Sequence, residues 1–537
     1  FEHIYESIVR RHEHEELTGD QLITPTRGTW WYDGGKWEKY HYHQYDDINQ
    51  EDWTNEWEGM YGGIGQCNLV LDDLSQLNPS KFNLSDSEFD SFKAQLRCMR
   101  AYCYLRLLNS YRNCILTTTS DQAVNEQPEN RKQVSPQVMF DFIESELRDV
   151  CLVALPSKIG QSGNGGQQGQ FTKAGAAALL VRLYLNAEKW IGQPKWQECI
   201  DMCERITGGE FGYYAIADNW YEPFDWNNEM CNEVILGFPG SYGLTSWHLK
   251  NDKRTVYGRA LPYGCEKYLK IEGDGSRNPK YALSPSYNNQ QPRALFDYEL
   301  GMVTQKFAKY AGDKRYKQYV NTSNNTREGM FFMEGKIANS SISGGYAKNP
   351  DNQYALYLLD QVGRFEGNAE SGYIANPNYQ ESKLGNGDFN SGLYCVKYPF
   401  YPFDGGYFIE SDYTEIRLAE IIYSQAECLL RLGQAGEAGK LLNSVRKRNY
   451  ENFTADIAYQ PEGNVVLDLK EMLDEWGREF LAERRRTDLI RFGRFQDAWW
   501  DKKRDADTHY ELFPFSQTQL EQNEYLKQNP GYPDIAR

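Results

Sequence analysis

Between Tyr413 and Asn449 apolar and small residues recur every three or four positions, at Ile416, Ala419, Ile422, Ala426, Leu429 and Leu430. That spacing lines one face of a helix. Leu432-Gly433 interrupts the pattern, and Ala435, Ala438, Leu441, Leu442 and Val445 resume it. The stretch predicts an antiparallel helical hairpin with a tight turn, in which Gly433 and Ala438 let the two backbones approach closely. Such a hairpin, as in tetratricopeptide-type repeats, cannot bury its apolar face alone and must stack on neighbours.

The amino-terminal part of the chain supplies those neighbours. Helical periodicity is predicted for Phe1 to Glu16, Asp52 to Leu77, Ser85 to Tyr111 and Gln133 to Leu155. Ser85-Asp86-Ser87-Glu88 opens the third of these with capping serines and helix-favouring acids. A polar Gly/Gln-rich link, Gly160 to Gln170, precedes a helix pair at Phe171 to Ala187 and Trp196 to Ile206 that echoes the opening hairpin. Beyond the hairpin, Leu467 to Phe495 reads as one long helix, followed by an irregular tail. The fold class is therefore mostly α, a tetratricopeptide-like scaffold of helical hairpins.

Residues 207–412 differ in kind. Helical periodicity fades, Gly, Asn, Pro and Ser are frequent, and more than half of the 39 Tyr lie there. A structureless loop of that length is implausible, so the segment reads as an ordered insertion of short strands and irregular pieces. Glu233 to Phe238 and Gly392 to Tyr398 have strand composition. The organisation is then an N-terminal helical scaffold (1–206), a loop-rich aromatic insertion (207–412) and a C-terminal hairpin, helix and tail (413–537), with scaffold and insertion forming one unit.

A second aromatic cluster sits in the scaffold, in PTRGTWWYDGGKW from Pro25 to Trp37. Gly28, Gly34 and Gly35 keep it from forming a regular helix, so Trp30, Trp31, Tyr32 and Trp37 are expected on a loop. They either plug a gap between helices or offer flat faces to a ligand. His41 and His43 alternate as metal ligands on a strand can, but without a further ligand set they read as a packed or solvated pair. Eleven cysteines, an odd number without any C-x-x-C, read as buried free thiols.

A net charge of −18 opposes nucleic-acid binding, which needs a basic surface. Apolar runs such as Ala174 to Val181 fall far short of the roughly 20 residues of a membrane-spanning helix. The chain starts at Phe1 in mid-helix style without an initiator Met, which reads as a mature chain whose targeting segment has been removed. There is no G-x-S-x-G elbow, P-loop, H-E-x-x-H or G-x-G-x-x-G following a strand. Glycoside hydrolysis by two carboxylates depends on their separation in space, which keeps an α-helical glycosidase as an alternative from a different class. A protein-interaction scaffold is another.

Four separated signatures resemble the SusD/RagB family of outer-membrane nutrient-uptake lipoproteins: YTEIRLAEIIYSQAECLLRLG from Tyr413, REFLAERRRTDLIRFGRF from Arg478, FPF at Phe513 and NPGY at Asn529. GDQLITPTRG with WYDGGKW, Trp57 through Tyr61 to Asn68, AQLRCMRAYCYLRLL and KAGAAALLVRLYL are similar to the family's amino-terminal half. Two positions depart from the pattern: Arg484 stands where the family often has Gly, and Ser516 where a second Pro is usual. Within these motifs Glu483 with Arg486, and Asp488 with Arg491, are spaced to pair on one helix face, and Arg484-Arg485-Arg486 reads as structural rather than as a phosphate site.

The resemblance implies a non-catalytic receptor for an oligosaccharide or polysaccharide, without cofactor or metal, lipid-anchored at the cell surface and docked on a SusC-like TonB-dependent transporter. The acylated cysteine expected at the family's mature amino terminus is not in this sequence, so membrane contact would come only through an anchor outside it. Peptide capture is the alternative within the family. Aromatic faces would stack on sugar rings while polar side chains pair with hydroxyls. Candidate contacts are Trp30, Trp31, Asp33 and Trp37 on the first loop, and Trp247, Tyr257, Arg259 and Tyr263 in the insertion; for the second group, packing inside the insertion is the equal alternative.

Overall fold

Three helical hairpins stacked side by side carry the rest of the chain. The structure is a computed structural model and describes residues 13–46, 51–124, 127–158, 169–240, 262–263, 279–321, 327–337, 345–349, 354–368, 372–375, 381–399, 401–403, 406–408 and 411–535. The first hairpin joins α1 (Asp52–Ser75) to α2 (Asp86–Tyr111). Ser85 opens α2 as expected: its hydroxyl accepts the Glu88 amide and its own amide donates to the Glu88 carboxylate, at 3.3 and 2.8 Å. α3 (Pro136–Ser145) packs on α2, and the second hairpin follows as α4 (Lys173–Leu185) and α5 (Trp196–Thr207). α5 lies on α6 (Leu418–Arg431), which pairs with α7 (Ala435–Arg446) across the Leu432-Gly433 turn. Gly433 takes the left-handed φ of 81° that such a turn requires.

Three expected helices are altered, each for a local reason. Tyr413–Arg417 is a strand rather than the start of α6; it pairs antiparallel with Val234–Phe238 across an irregular register. All five of its side chains are buried, so both faces of the strand are covered and its charged residues must be paired there. The Gln133 to Leu155 helix contains a π-helical turn at Glu146–Cys151. Glu146 in that turn pairs with Arg97 and with Arg100, the latter at 2.8 Å. The helix expected from Leu467 to Phe495 is two: α8 (Leu469–Glu479) and α9 (Arg485–Arg491). Ala482 and Arg484 between them have φ of 59° and 70°, a conformation no helix contains.

Arg484 thus stands at a left-handed position, a conformation glycine adopts most freely. Its amide donates to the Glu16 carboxylate and its guanidinium reaches Glu415 and the Tyr102 hydroxyl, which hold the strained residue in place. Ser516 has an equally local reason. It caps the short helix Gln517–Gln522 through a reciprocal bond pair with Gln519, work a proline could not do because it lacks the amide hydrogen. Arg485 and Arg486 diverge from Arg484: the first pairs with Asp20 at 2.7 Å, and the second lies between the Phe495 and Phe513 rings, 4.4 and 4.2 Å from their centroids. Asp488 and Arg491 do pair, at 2.8 Å. Glu483 does not meet Arg486; it reaches Lys397 and Arg417 instead.

The tail returns to the first hairpin. Phe513 stacks on Trp53 with centroids 5.1 Å apart, and Phe515 on Tyr111 at 5.2 Å. The Asn529 amide donates to the carbonyls of Tyr111 and Phe513, fixing the end of the chain. The insertion forms small two-stranded pieces stitched into the scaffold: Leu22–Ile23 pairs with Ala282–Leu283, and Tyr394–Cys395 with Phe331–Phe332. Of the two strands expected there, Glu233 to Phe238 is a strand over Val234–Phe238, and Gly392 to Tyr398 is a strand only at Tyr394–Cys395. The ten cysteines among the described residues are free and buried.

Where these parts meet, Glu479 at the end of α8 is buried and receives four side-chain donors. Arg417 and Arg448 reach one oxygen at 2.7 and 2.8 Å; Arg315 and Asn449 reach the other, each at 3.0 Å. Arg417 and Arg448 also share Glu233. Burial alone would raise the Glu479 carboxyl; its arginines outweigh that and hold it far below the carboxylate range. Glu479→Gln would leave several guanidinium groups buried without their anion, and a loss of about 3–5 kcal/mol in urea unfolding is expected.

Other buried carboxyls behave alike. Burial pushes Asp20 up, but Arg485 and Lys306 hold it at about 2; Glu415, held by Arg484 and Arg182, and Glu471, held by Arg478, are also at about 2 despite burial. A carboxyl depressed on folding contributes stability above its unfolded value and loses it as pH falls through its folded value. Unfolding free energy should therefore decline steeply from about pH 4 to about pH 2, measurable by circular dichroism melts, and more gently in a Glu415→Gln, Glu471→Gln double variant.

Candidate functional site

The aromatic loop is pinned to the insertion from below. Arg27 and Trp30 exchange backbone hydrogen bonds of 3.0 and 3.1 Å, closing a two-residue turn at Gly28-Thr29 with Gly28 at φ 67°. The Arg27 side chain is buried and donates to the carbonyls of Asp388 and Ser391 at 2.6 and 2.7 Å. The Thr26 amide donates to the Leu384 carbonyl. The loop is thereby clamped onto residues 384–391, whose own turn is held by Asp388 accepting the amides of Phe365 and Asn390. Burial raises the Asp388 carboxyl to about 6, because backbone amides only partly offset desolvation.

Trp30 emerges from this clamp half-buried, with its ring edge-on to Phe389 at 5.4 Å and to Tyr263 at 6.5 Å; Tyr263 and Phe389 are 5.9 Å apart. Three rings from three distant segments thus meet beside the loop. Tyr32, one turn further on, is 56% exposed. The other first-loop candidates are engaged differently. Trp31 is half-buried against the core in a left-handed conformation. Asp33 is exposed, but accepts the Trp37 indole N–H at 2.7 Å. Trp37 lies on a short helix, Lys36–His41, that starts after Gly35; it is 6% exposed, with the Lys280 ammonium 3.7 Å from its ring centroid. Trp247, Tyr257 and Arg259 lie outside the described residues.

Sequence reasoning passed over Phe389. Its signal is slight, a lone aromatic in the Gly/Asn-rich run LGNGDFNSG, and only the Arg27 clamp brings it to Trp30. His41 and His43 are not on a strand. His41 ends the short helix against Asp501, and His43 pairs with Asp505 at 2.7 Å while stacking on Phe495. Burial brings His43 down to about 4, outweighing Asp505. Among the described residues no group of three or more His, Cys, Asp and Glu is placed to hold a metal. A cavity of about 80 Å³ inside the scaffold is lined by Glu15, Arg106, Arg182, Glu415, Arg484 and Asp488 among others, and its charges are largely paired with one another.

A family profile described as SusD family matches residues 273–532, and one described as "Starch-binding associating with outer membrane" matches residues 8–185. The chain belongs to the SusD/RagB family. It is 24% identical over 511 residues to starch-binding protein SusD of Bacteroides thetaiotaomicron, covering 87% of this chain and 76% of that one. It is 21% identical over 493 residues to SusD-like protein P25 of Formosa agariphila, covering 89% and 80%. Among solved structures, a laminarin-binding SusD-like protein superposes with a TM-score of 0.61 at 18% identity, covering 99% of this chain and 97% of that one. Surface glycan-binding protein A from Bacteroides uniformis superposes with 0.59 at 17%, covering 98% and 99%. These likenesses fix the SusD-like fold, and membership makes the chain a binding protein rather than an enzyme. No described helix is long and apolar enough to cross a membrane.

The clamp makes a direct prediction. Arg27→Met should leave two carbonyls without their donor and release both loops. Amide hydrogen exchange should then speed up about tenfold or more across 26–36 and 384–391, with the helical hairpins unchanged.

Proposed function

We propose that the protein is a cell-surface glycan receptor that takes a neutral oligosaccharide or polysaccharide at the Trp30–Tyr263–Phe389 cluster and passes it to a SusC-like TonB-dependent transporter. The observation that carries this reading is the cluster itself. Three half-buried rings from three segments meet beside a loop whose backbone is already fixed, so little ordering is needed when a flat apolar sugar face arrives. The acidic chain disfavours highly anionic polymers, which is why the ligand is proposed neutral. Starch and laminarin, after which relatives are named, head the candidate panel.

Family membership supports the remaining parts of the proposal, delivery to a transporter and a lipid anchor in the outer membrane. Native affinity gels with starch, laminarin and other neutral glucans test the binding step. Trp30→Ala should weaken retention about tenfold, the effect of truncating one central aromatic contact, while Trp37→Phe should change it less than twofold. Equal retention of wild type and Trp30→Ala on every retained glycan would remove the cluster as the site, and binding confined to peptides would replace the ligand class.

A further inference from the structure

A second, unrelated cavity of about 500 Å³ opens where the end of α2 meets the tail, lined by Arg112, Lys189, Asp507, Thr508, His509, Glu511, Leu512, Pro530 and Gly531. Arg112 follows the last residue of α2 at φ 62° and ψ −53°. Its amide and its Nη1 both donate to the Leu108 carbonyl, at 3.2 and 2.6 Å, and its guanidinium lies 5.6 Å from the Trp190 ring centroid. The side chain is only 8% exposed. Among the described residues no carboxylate comes within ion-pair distance of it, and its Nε and Nη2 donate no hydrogen bond. This sets it apart from Arg417, Arg448, Arg315, Arg485 and Arg491, each of which holds a carboxylate.

A buried cation without an anion is unfavourable, and burial lowers Arg112 to about 10, with the more distant Glu511 only partly offsetting it. The neighbours are arranged compatibly. Lys189, on the short helix Ala187–Ile191, is exposed and makes no ion pair among the described residues. His509 is fixed by Asp507 through Nδ1 and braced on the Tyr532 ring at 4.9 Å. Gly531, at φ 91°, leaves room for the His509 side chain, with which any Cβ there would collide. Glu511 has one oxygen held by the Gln496 amide at 3.0 Å. Leu512 and Pro530 add an apolar wall.

We propose that this cavity binds a small oxyanion, a carboxylate or phosphate group, held by the free guanidinium edge of Arg112 and by Lys189, with the carbon skeleton against Leu512 and Pro530. The planar fork of Arg suits two oxygens of one such group, and the lysine adds a flexible point charge. The site shares no lining residue with the Trp30 cluster and stands or falls independently of glycan binding there.

Isothermal titration calorimetry of the full chain with inorganic phosphate and with glucuronate, and with glucose as neutral control, tests it. Saturable binding of at least one anion and none of glucose is expected. Phosphate alone would assign a phosphate group as the ligand; glucuronate binding would assign an acidic sugar. Arg112→Gln should weaken the bound anion about tenfold or more and Lys189→Glu by a similar factor, while Trp30→Ala leaves it unchanged. Because Lys189 is exposed, the Lys189→Glu protein reports even where Arg112→Gln fails to fold. Absence of saturation with both anions, or wild-type affinity in Lys189→Glu, overturns the proposal.

Discussion

Glu479 is the constraint on which the architecture depends. Its two oxygens gather the strand after the insertion through Arg417, the end of the last hairpin through Arg448 and Asn449, and the insertion itself through Arg315. Hydrophobic packing brings helices together without specifying their register, whereas a carboxylate with four fixed donors accepts one arrangement only. The cost of burying these charges is large, and it is offset only when every partner arrives. The same logic explains the divergence of Arg484, Arg485 and Arg486. Three neighbouring side chains tie the break between α8 and α9 to the strand at Glu415, to the amino-terminal Asp20 and to the aromatic plug of the tail.

Much of the frame was legible in the chain because it is written in local periodicity. The helical hairpins, the Ser85 cap and the Gly433 turn follow from residues within a few positions of one another. The failures share a cause: each needed a partner far away in sequence. Ile416 fits a helical stripe equally well, and only pairing with Val234–Phe238 makes Tyr413–Arg417 a strand. Nothing near Ala482 announces a left-handed residue; Glu16, some 470 positions earlier, supplies the acceptor that holds Arg484 there. Glu483 looked set to meet Arg486 on one helix face, but the break between them turned it to Lys397.

The candidate surface was legible in part for the same reason. A dense aromatic loop is visible in composition, and Trp30 is in it. Which of its rings pack inward was not visible, since Trp37 and Trp30 differ only in what covers them: Lys280 and the scaffold in one case, Phe389 and Tyr263 in the other. Phe389 itself is invisible to any argument along the chain, because the rings it meets, Trp30 and Tyr263, both lie more than a hundred positions earlier.

The Arg27 clamp separates holding from displaying. The hydrogen bonds seen among the described residues that position the loop on residues 384–391 come from the Arg27 side chain and from backbone atoms. The tip can therefore change its chemistry while its foundation stays constant, which is the condition for drift in specificity by single substitutions. In that sense the loop is a socket into which new recognition surfaces can be fitted without redesigning the frame.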